Sequence, residues 1–166
     1  YGYDDRWPYD VGTTTCNVEK NKVTITLDNV YPCYQTFVRF KTKNYGTIPA
    51  KLEDVIIANI DDPNGLQNYV EFGVYAEVND PVGGWMGEHF YPAKYRGAFP
   101  RTDANITELE NAMESTVSAA LGDVGGALLP GQELWYTIGF HIKDGAPQKA
   151  NLTITIKTIW TQFNVQ

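Results

Sequence analysis

Residues 23–51 read VTITLDNVYPCYQTFVRFKTKNYGTIPAK, and the spacing of their side chains decides the fold class. Val23, Ile25 and Leu27 alternate with Thr24 and Thr26, the two-residue period that turns one side of a strand toward a core. Asp28-Asn29 and Tyr31-Pro32 interrupt the run, because proline fixes φ and offers no N–H donor. A second run over 36–42 sets Val38 and Phe40 against Arg39 and Lys41. The turn residues Asn44-Tyr45-Gly46-Thr47-Ile48-Pro49 end it. Strand, tight turn and strand read as an opening hairpin, which points to an antiparallel, all-β chain.

Working outward, the same period recurs. Residues 69–78 alternate most cleanly, with Val70, Phe72, Val74, Ala76 and Val78 on one face and Tyr69, Glu71, Tyr75 and Glu77 on the other. Residues 52–60 read as a half-buried strand carrying Val55 and Ile57. Residues 134–142 set Leu134, Tyr136, Ile138, Phe140 and Ile142 against Trp135, Thr137, Gly139 and His141. A last strand starts with Leu152, Ile154 and Ile156 and continues through Trp160 and Phe163. One helix is predicted over 107–121. Leu109, Ala112, Met113, Val117, Ala120 and Leu121 form its apolar stripe, Thr107 and Glu110 have capping-box spacing, and Gly122 can end it. Residues 79–101 read as a long irregular connection. Its aromatics Trp85, Phe90, Tyr91, Tyr95 and Phe99 form either a contact surface, a sugar platform or a lid over the core.

A chain of 166 residues fits one domain with a sizeable core. The net charge of −7 speaks against nucleic acid and against an anionic membrane surface, and no apolar run is long enough to span a bilayer. The sequence opens on Tyr1 without a basic-then-apolar leader, which reads as a processed, exported chain; a trimmed one would look the same.

Two segments carry a resemblance. LDNVYPCYQTFVRFKTKNYGTIPAKL (27–52) and LLPGQELWYTIGFHIKDGAPQKANLTITIKTIWTQFN (128–164) resemble the core and closing segments of the TasA/camelysin-like secreted proteins, archaeal bundling pilins among them. The shared features are a strand, a Tyr-Pro turn, a strand and an Asn-x-Gly-Thr-Ile-Pro turn, then a Pro-Gly turn and a final Thr-Gln-aromatic-Asn. The resemblance implies a jelly roll, a β-sandwich of antiparallel strands with one inserted short helix. It also implies a cell-surface, extracellular filament built from identical subunits as an open helical homopolymer, with a role in biofilm or cell–cell adhesion.

On this reading residues 1–15 are an extended N-terminal arm and 16–166 a single jelly-roll domain. Fifteen extended residues reach about 50 Å, against a radius of gyration of about 15 Å for a domain of this size, so the arm can span into a neighbour. Its candidate contacts are Tyr1, Tyr3, Trp7, Tyr9 and Val11. The terminal strand 151–166 is the other candidate donor. Cys16 and Cys33 flank one predicted strand. They read as a disulfide at the root of the arm, worth about 3 kcal/mol in the chain-entropy model, or as two buried free thiols. Two sequons, Asn105-Ile106-Thr107 and Asn151-Leu152-Thr153, mark Asn105 and Asn151 as candidate glycan sites.

Motifs for catalysis are missing. Camelysin is described as a metal-dependent peptidase, yet His89 and His141 have no zinc-ligand spacing. The acidic turn Asp61-Asp62-Pro63-Asn64-Gly65 lacks the spaced ligands of a calcium loop. The expectation is a non-enzymatic subunit without cofactor. The rival from another class is a monomeric secreted carbohydrate-binding module using Trp85, Tyr91 and Tyr95.

Overall fold

The computed structural model describes residues 12–91 and 106–162, together with the backbone of residues 2–3. It is an all-β sandwich of two antiparallel sheets. The strands are β1 (Gly2–Tyr3), β2 (Thr13–Glu19), β3 (Lys22–Val30), β4 (Gln35–Lys43), β5 (Ala50–Asp61), β6 (Val70–Asp80), β7 (Gly84–Tyr91), β8 (Glu133–Ile142) and β9 (Ala150–Gln162), with one helix, α1 (Leu109–Gly122), between β7 and β8. Sheet A has the order β1-β4-β8-β6-β7 and sheet B the order β2-β3-β9-β5.

The alternating residues build the core between the sheets. Val38, Phe40, Phe72, Val74, Tyr136 and Ile138 of sheet A face Val23, Ile25, Leu27, Leu152, Ile154 and Ile156 of sheet B in one buried cluster. Phe40 stacks on Tyr136 with ring centroids 4.8 Å apart. Burying a large aliphatic or aromatic side chain is worth about 1.5–3 kcal/mol, so this interface dominates the stability of the fold.

The opening hairpin is not formed. β3 and β4, adjacent in sequence, lie in different sheets. Cys33, in the left-handed region at φ 69°, donates its N–H to Ile142 O at 2.7 Å. Tyr34 donates to Tyr31 O, and Ile142 donates back to Tyr34 O. The turn thereby hooks onto β8 and carries the chain across the sandwich.

Two further expectations change. Residues 84–91, expected to be irregular, form β7 on β6, with a bulge between Ala76 and Val78 and positive φ at Gly84 and Gly87. Residues 13–15, assigned to the arm, are the start of β2, in register with Thr26–Asp28 of β3.

The helix lies along the side of the sandwich, packed on β5, β6 and β7. Leu109, Met113, Val117 and Leu121 are buried there with Ala112, Thr116 and Ala120. A 3-10 turn (Ile106–Glu108) precedes it, and Glu108 at its N-cap makes no side-chain capping bond. The helix thus starts one residue later than the Thr107 cap expected from sequence. Glu110 reaches sideways, to the backbone of β5.

Candidate assembly edge

An open sandwich has strand edges whose backbone N–H and C=O groups face outward, ready to pair with another chain unless something covers them. Here the edges are treated differently on the two sides. On one side, α1 closes the gap between β5 and β7. Glu114 Oε1 accepts from Val55 N at 2.9 Å, and Glu110 Oε1 accepts from Ile57 N at 2.5 Å. On β7, Gly87 sits so close to the helix that a Cβ there would come within 2.6 Å of Ala120 O. His89 Nε2 and Asp123 Oδ2, 2.6 Å apart, fasten the strand to the end of α1.

On the opposite side the edges are β2 and β4. Among the described residues, β2 pairs only with β3. Among the described residues the outer edge of β4 is met by a strand at its start alone, with Gly2 opposite Thr36 and Tyr3 opposite Gln35. From Val38 to Lys43 its one strand partner among the described residues is β8. Val38 and Phe40 of β4 keep 4% and 6% exposure. In the interior, Tyr136 (opposite Phe40 of β4) and Trp160 (opposite Leu52 of β5) have buried polar atoms, Oη and Nε1, without a hydrogen-bond partner of good geometry. The Thr42 hydroxyl and the Trp160 indole are the polar neighbours of Tyr136, but neither meets hydrogen-bond geometry, and burial pushes the phenol pKa well up.

The root of the arm is fixed in place. Gly12 is buried against Tyr34 and Val30, where a Cβ would meet the Tyr34 ring at 2.9 Å. The Thr14 hydroxyl and the Tyr34 phenol lie 2.7 Å apart. Of the arm contacts expected from sequence, Tyr3 is placed by its backbone on β4. The side chains of Tyr1, Tyr3, Trp7, Tyr9 and Val11 lie outside the described residues, as does Asn105.

The expected disulfide is not formed: Cys16 and Cys33 are not bridged to each other. The strand register explains this. Cys16 stands opposite Ile25, three pairs along β2 from the Thr13–Asp28 end, about 10 Å of strand. Cys33 lies beyond that end, in the crossing to sheet A, and its Sγ donates to Asp144 Oδ1 at 2.7 Å. A bridge requires Cα atoms within about 7 Å. Asn151 is exposed at the start of β9, where its Oδ1 accepts from Asn29 N at 2.8 Å.

Comparison with protein-family models, curated proteins and solved structures finds no match. The reading therefore rests on the geometry of this chain.

The aromatics named for sugar binding are not brought together. Tyr91 packs against the core and stacks on Phe72 at 6.4 Å, and Tyr95 lies outside the described residues. Trp85 is 51% exposed on the outer face of sheet A. Its neighbours there are Trp135, 5.9 Å away, and Arg39, whose guanidinium lies 4.4 Å from the Trp135 ring centroid. Trp135 alternates outward on β8, and that alternation was the one sequence signal that could have nominated it.

Among the described residues no group of three or more His, Cys, Asp or Glu side chains is arranged to hold a metal. His141 faces outward and meets Glu71 across β8–β6 at 3.1 Å. Asp62 is occupied, its two carboxylate oxygens accepting from Leu66 N at 2.7 Å and Gln67 N at 3.0 Å. No helix among the described residues is long and apolar enough to cross a membrane.

Proposed function

We propose that this chain is a structural subunit of an extracellular filament, in which one copy donates a strand to the sandwich of the next. The supporting observation is the unequal treatment of its edges. Carboxylates and a packed helix occupy β5 and β7, while β4 from Val38 to Lys43 has a strand on one side only among the described residues. A strand laid on that edge gains main-chain hydrogen bonds and side-chain pockets at alternate positions. Donation from head to tail is heterologous, so it builds an open polymer and not a closed dimer. The donor is the segment before Thr13: its root at Gly12 is buried against Tyr34, next to β4, and its Gly2 and Tyr3 already pair with a β4 edge, here that of their own chain, which in the filament would belong to the next copy. A jelly-roll topology, glycans at Asn105 and Asn151, and a role in biofilm or cell–cell adhesion belong to the same reading.

Negative-stain images and size-exclusion profiles of the full chain and of a variant lacking residues 1–11 test it. Filaments that disappear on deletion are the expected outcome. A full chain that stays monomeric under all filament-promoting conditions, or filaments that survive the deletion unchanged, would overturn it. A second reading, a carbohydrate-binding module, draws on the exposed Trp85 beside Trp135 and Arg39. Aromatic faces of this kind stack on sugars. Retention of the monomer on a polysaccharide column, lost in Trp85→Ala, would favour it.

A further inference from the structure

Glu110 and Glu114 stand one helical turn apart and deliver one oxygen each to backbone N–H groups two residues apart on β5. The spacings fit. Four helical residues rise about 6 Å, and two strand residues advance about 6.6 Å. The order is antiparallel, since the earlier glutamate meets the later strand residue: Glu110 with Ile57, Glu114 with Val55. In an antiparallel ladder alternate residues turn their N–H and C=O away from the partner strand. Val55 and Ile57, opposite Thr158 and Ile156 of β9, are the outward pair that a further strand would bind. The two carboxylates thus stand where the carbonyls of that strand would be. They cover the stretch between the bulges at Leu52/Asp54 and Ile57/Asn59, where the edge is otherwise regular.

We propose that α1 is a surrogate edge strand, and that its two glutamates keep β5 from pairing with β5 of a second copy. The occupant follows from the symmetry of the edge. A two-fold centred on Ile56 puts Val55 opposite Ile57 of the other copy, each offering the N–H and C=O the other needs, and brings Lys51 toward Asp61, opposite charges at both ends. With the carboxylates gone, two backbone donors lose their acceptors. They regain them only if α1 lifts off and admits water or another strand. The apolar underside of α1 and the stretch 55–57 are then exposed together. This goes beyond the filament reading and does not involve residues 1–11.

The test compares the full chain with Glu110→Ala/Glu114→Ala and with Glu110→Gln/Glu114→Gln, which keeps an acceptor oxygen at each position. Hydrogen exchange is followed at Val55 and Ile57, and cross-links between β5 segments are sought in a mixture of isotopically light and heavy copies. The alanine pair is expected to exchange about tenfold faster or more at both amides and to give light–heavy β5 cross-links, while the glutamine pair behaves like the parent. Unchanged exchange in the alanine pair overturns the proposal. Faster exchange without β5 cross-links also overturns it, since the helix would then cap the edge without guarding it. If the double alanine variant does not fold, Glu114→Ala alone gives the same readouts at Val55, because it removes that acceptor only.

Discussion

The Thr14 hydroxyl and the Tyr34 phenol, 2.7 Å apart, join the edge of sheet B to the crossing between the sheets. Thr14 lies in β2, and Tyr34 lies at the hook that carries the chain into β4. The root of the N-terminal segment at Gly12, buried against the same Tyr34 ring, is therefore tied to both sheets at once.

Gly12→Ala probes that root. The added methyl meets the Tyr34 ring at 2.9 Å and Val30 Cγ1 at 3.2 Å, and overpacking of this kind costs about 1–3 kcal/mol. A lower urea midpoint is expected. Combined with Tyr34→Leu, the two losses should be less than additive, because the ring that the methyl strikes has been removed.

Glu114 gives a pH signature. The Val55 N–H favours its carboxylate, but the hydrogen bond with Asp54, burial and the charges of Asp54 and Glu110 outweigh that, and its pKa is raised. A carboxyl raised in the folded state lends stability in acid that is lost as pH climbs through the folded pKa. Glu114→Gln cannot acquire the charge and can still accept from Val55. It should be more stable than the parent at pH 7, with the gain shrinking toward pH 4, as read from denaturant midpoints at both values.

Asp80 behaves in the opposite sense. Gln132 Nε2 donates to its Oδ2 at 2.9 Å, and the Gly83 and Val82 N–H groups donate to Oδ1 at 2.8 Å. Together they hold its carboxyl below the usual range. Stability from a depressed carboxyl is present above its ordinary pKa of about 4 and fades as pH falls through the folded value. Asp80→Ala should therefore be less stable than the parent at pH 7, and the gap should narrow as pH falls below about 4, read from denaturant midpoints.

Asn44 is a buried junction. Its Nδ2 donates to Ile48 O and Leu128 O, both at 2.8 Å, and its Oδ1 accepts from Gly46 N at 2.9 Å. Asn44→Ala strands these groups and should cost about 2–4 kcal/mol by chemical denaturation. Asn44→Asp turns a carboxylate toward two carbonyl oxygens. It should be worse than alanine at pH 7 and recover partly in acid, when the carboxyl can donate.

The strands that the sequence revealed are those with unlike faces. Val70–Val78 and Leu134–Ile142 alternate without a break, and both lie with one face on the core. β2 escaped notice because it has little burial to advertise: Cys16, Asn17, Val18 and Glu19 are all exposed. β7 was hidden by Gly84 and Gly87 and by the bulge opposite, which break the period of two. The hairpin reading failed because the link between β3 and β4 is governed by the long-range bond from Cys33 N to Ile142 O, which no local pattern announces. Glu110 misled for the same reason. Its spacing from Thr107 fits a cap, yet its partner Ile57 lies 53 residues away.

β8 and β9, the last two strands among the described residues, occupy interior places in their sheets: β8 joins β4 to β6, and β9 joins β3 to β5. During synthesis, neither layer can knit together until residues 133–162 have emerged, because the earlier strands lack the neighbour that unites them. Such late, distant pairing slows folding. It also means that a copy still on the ribosome has no finished surface to offer, so the timing of any association is written into the order of the strands.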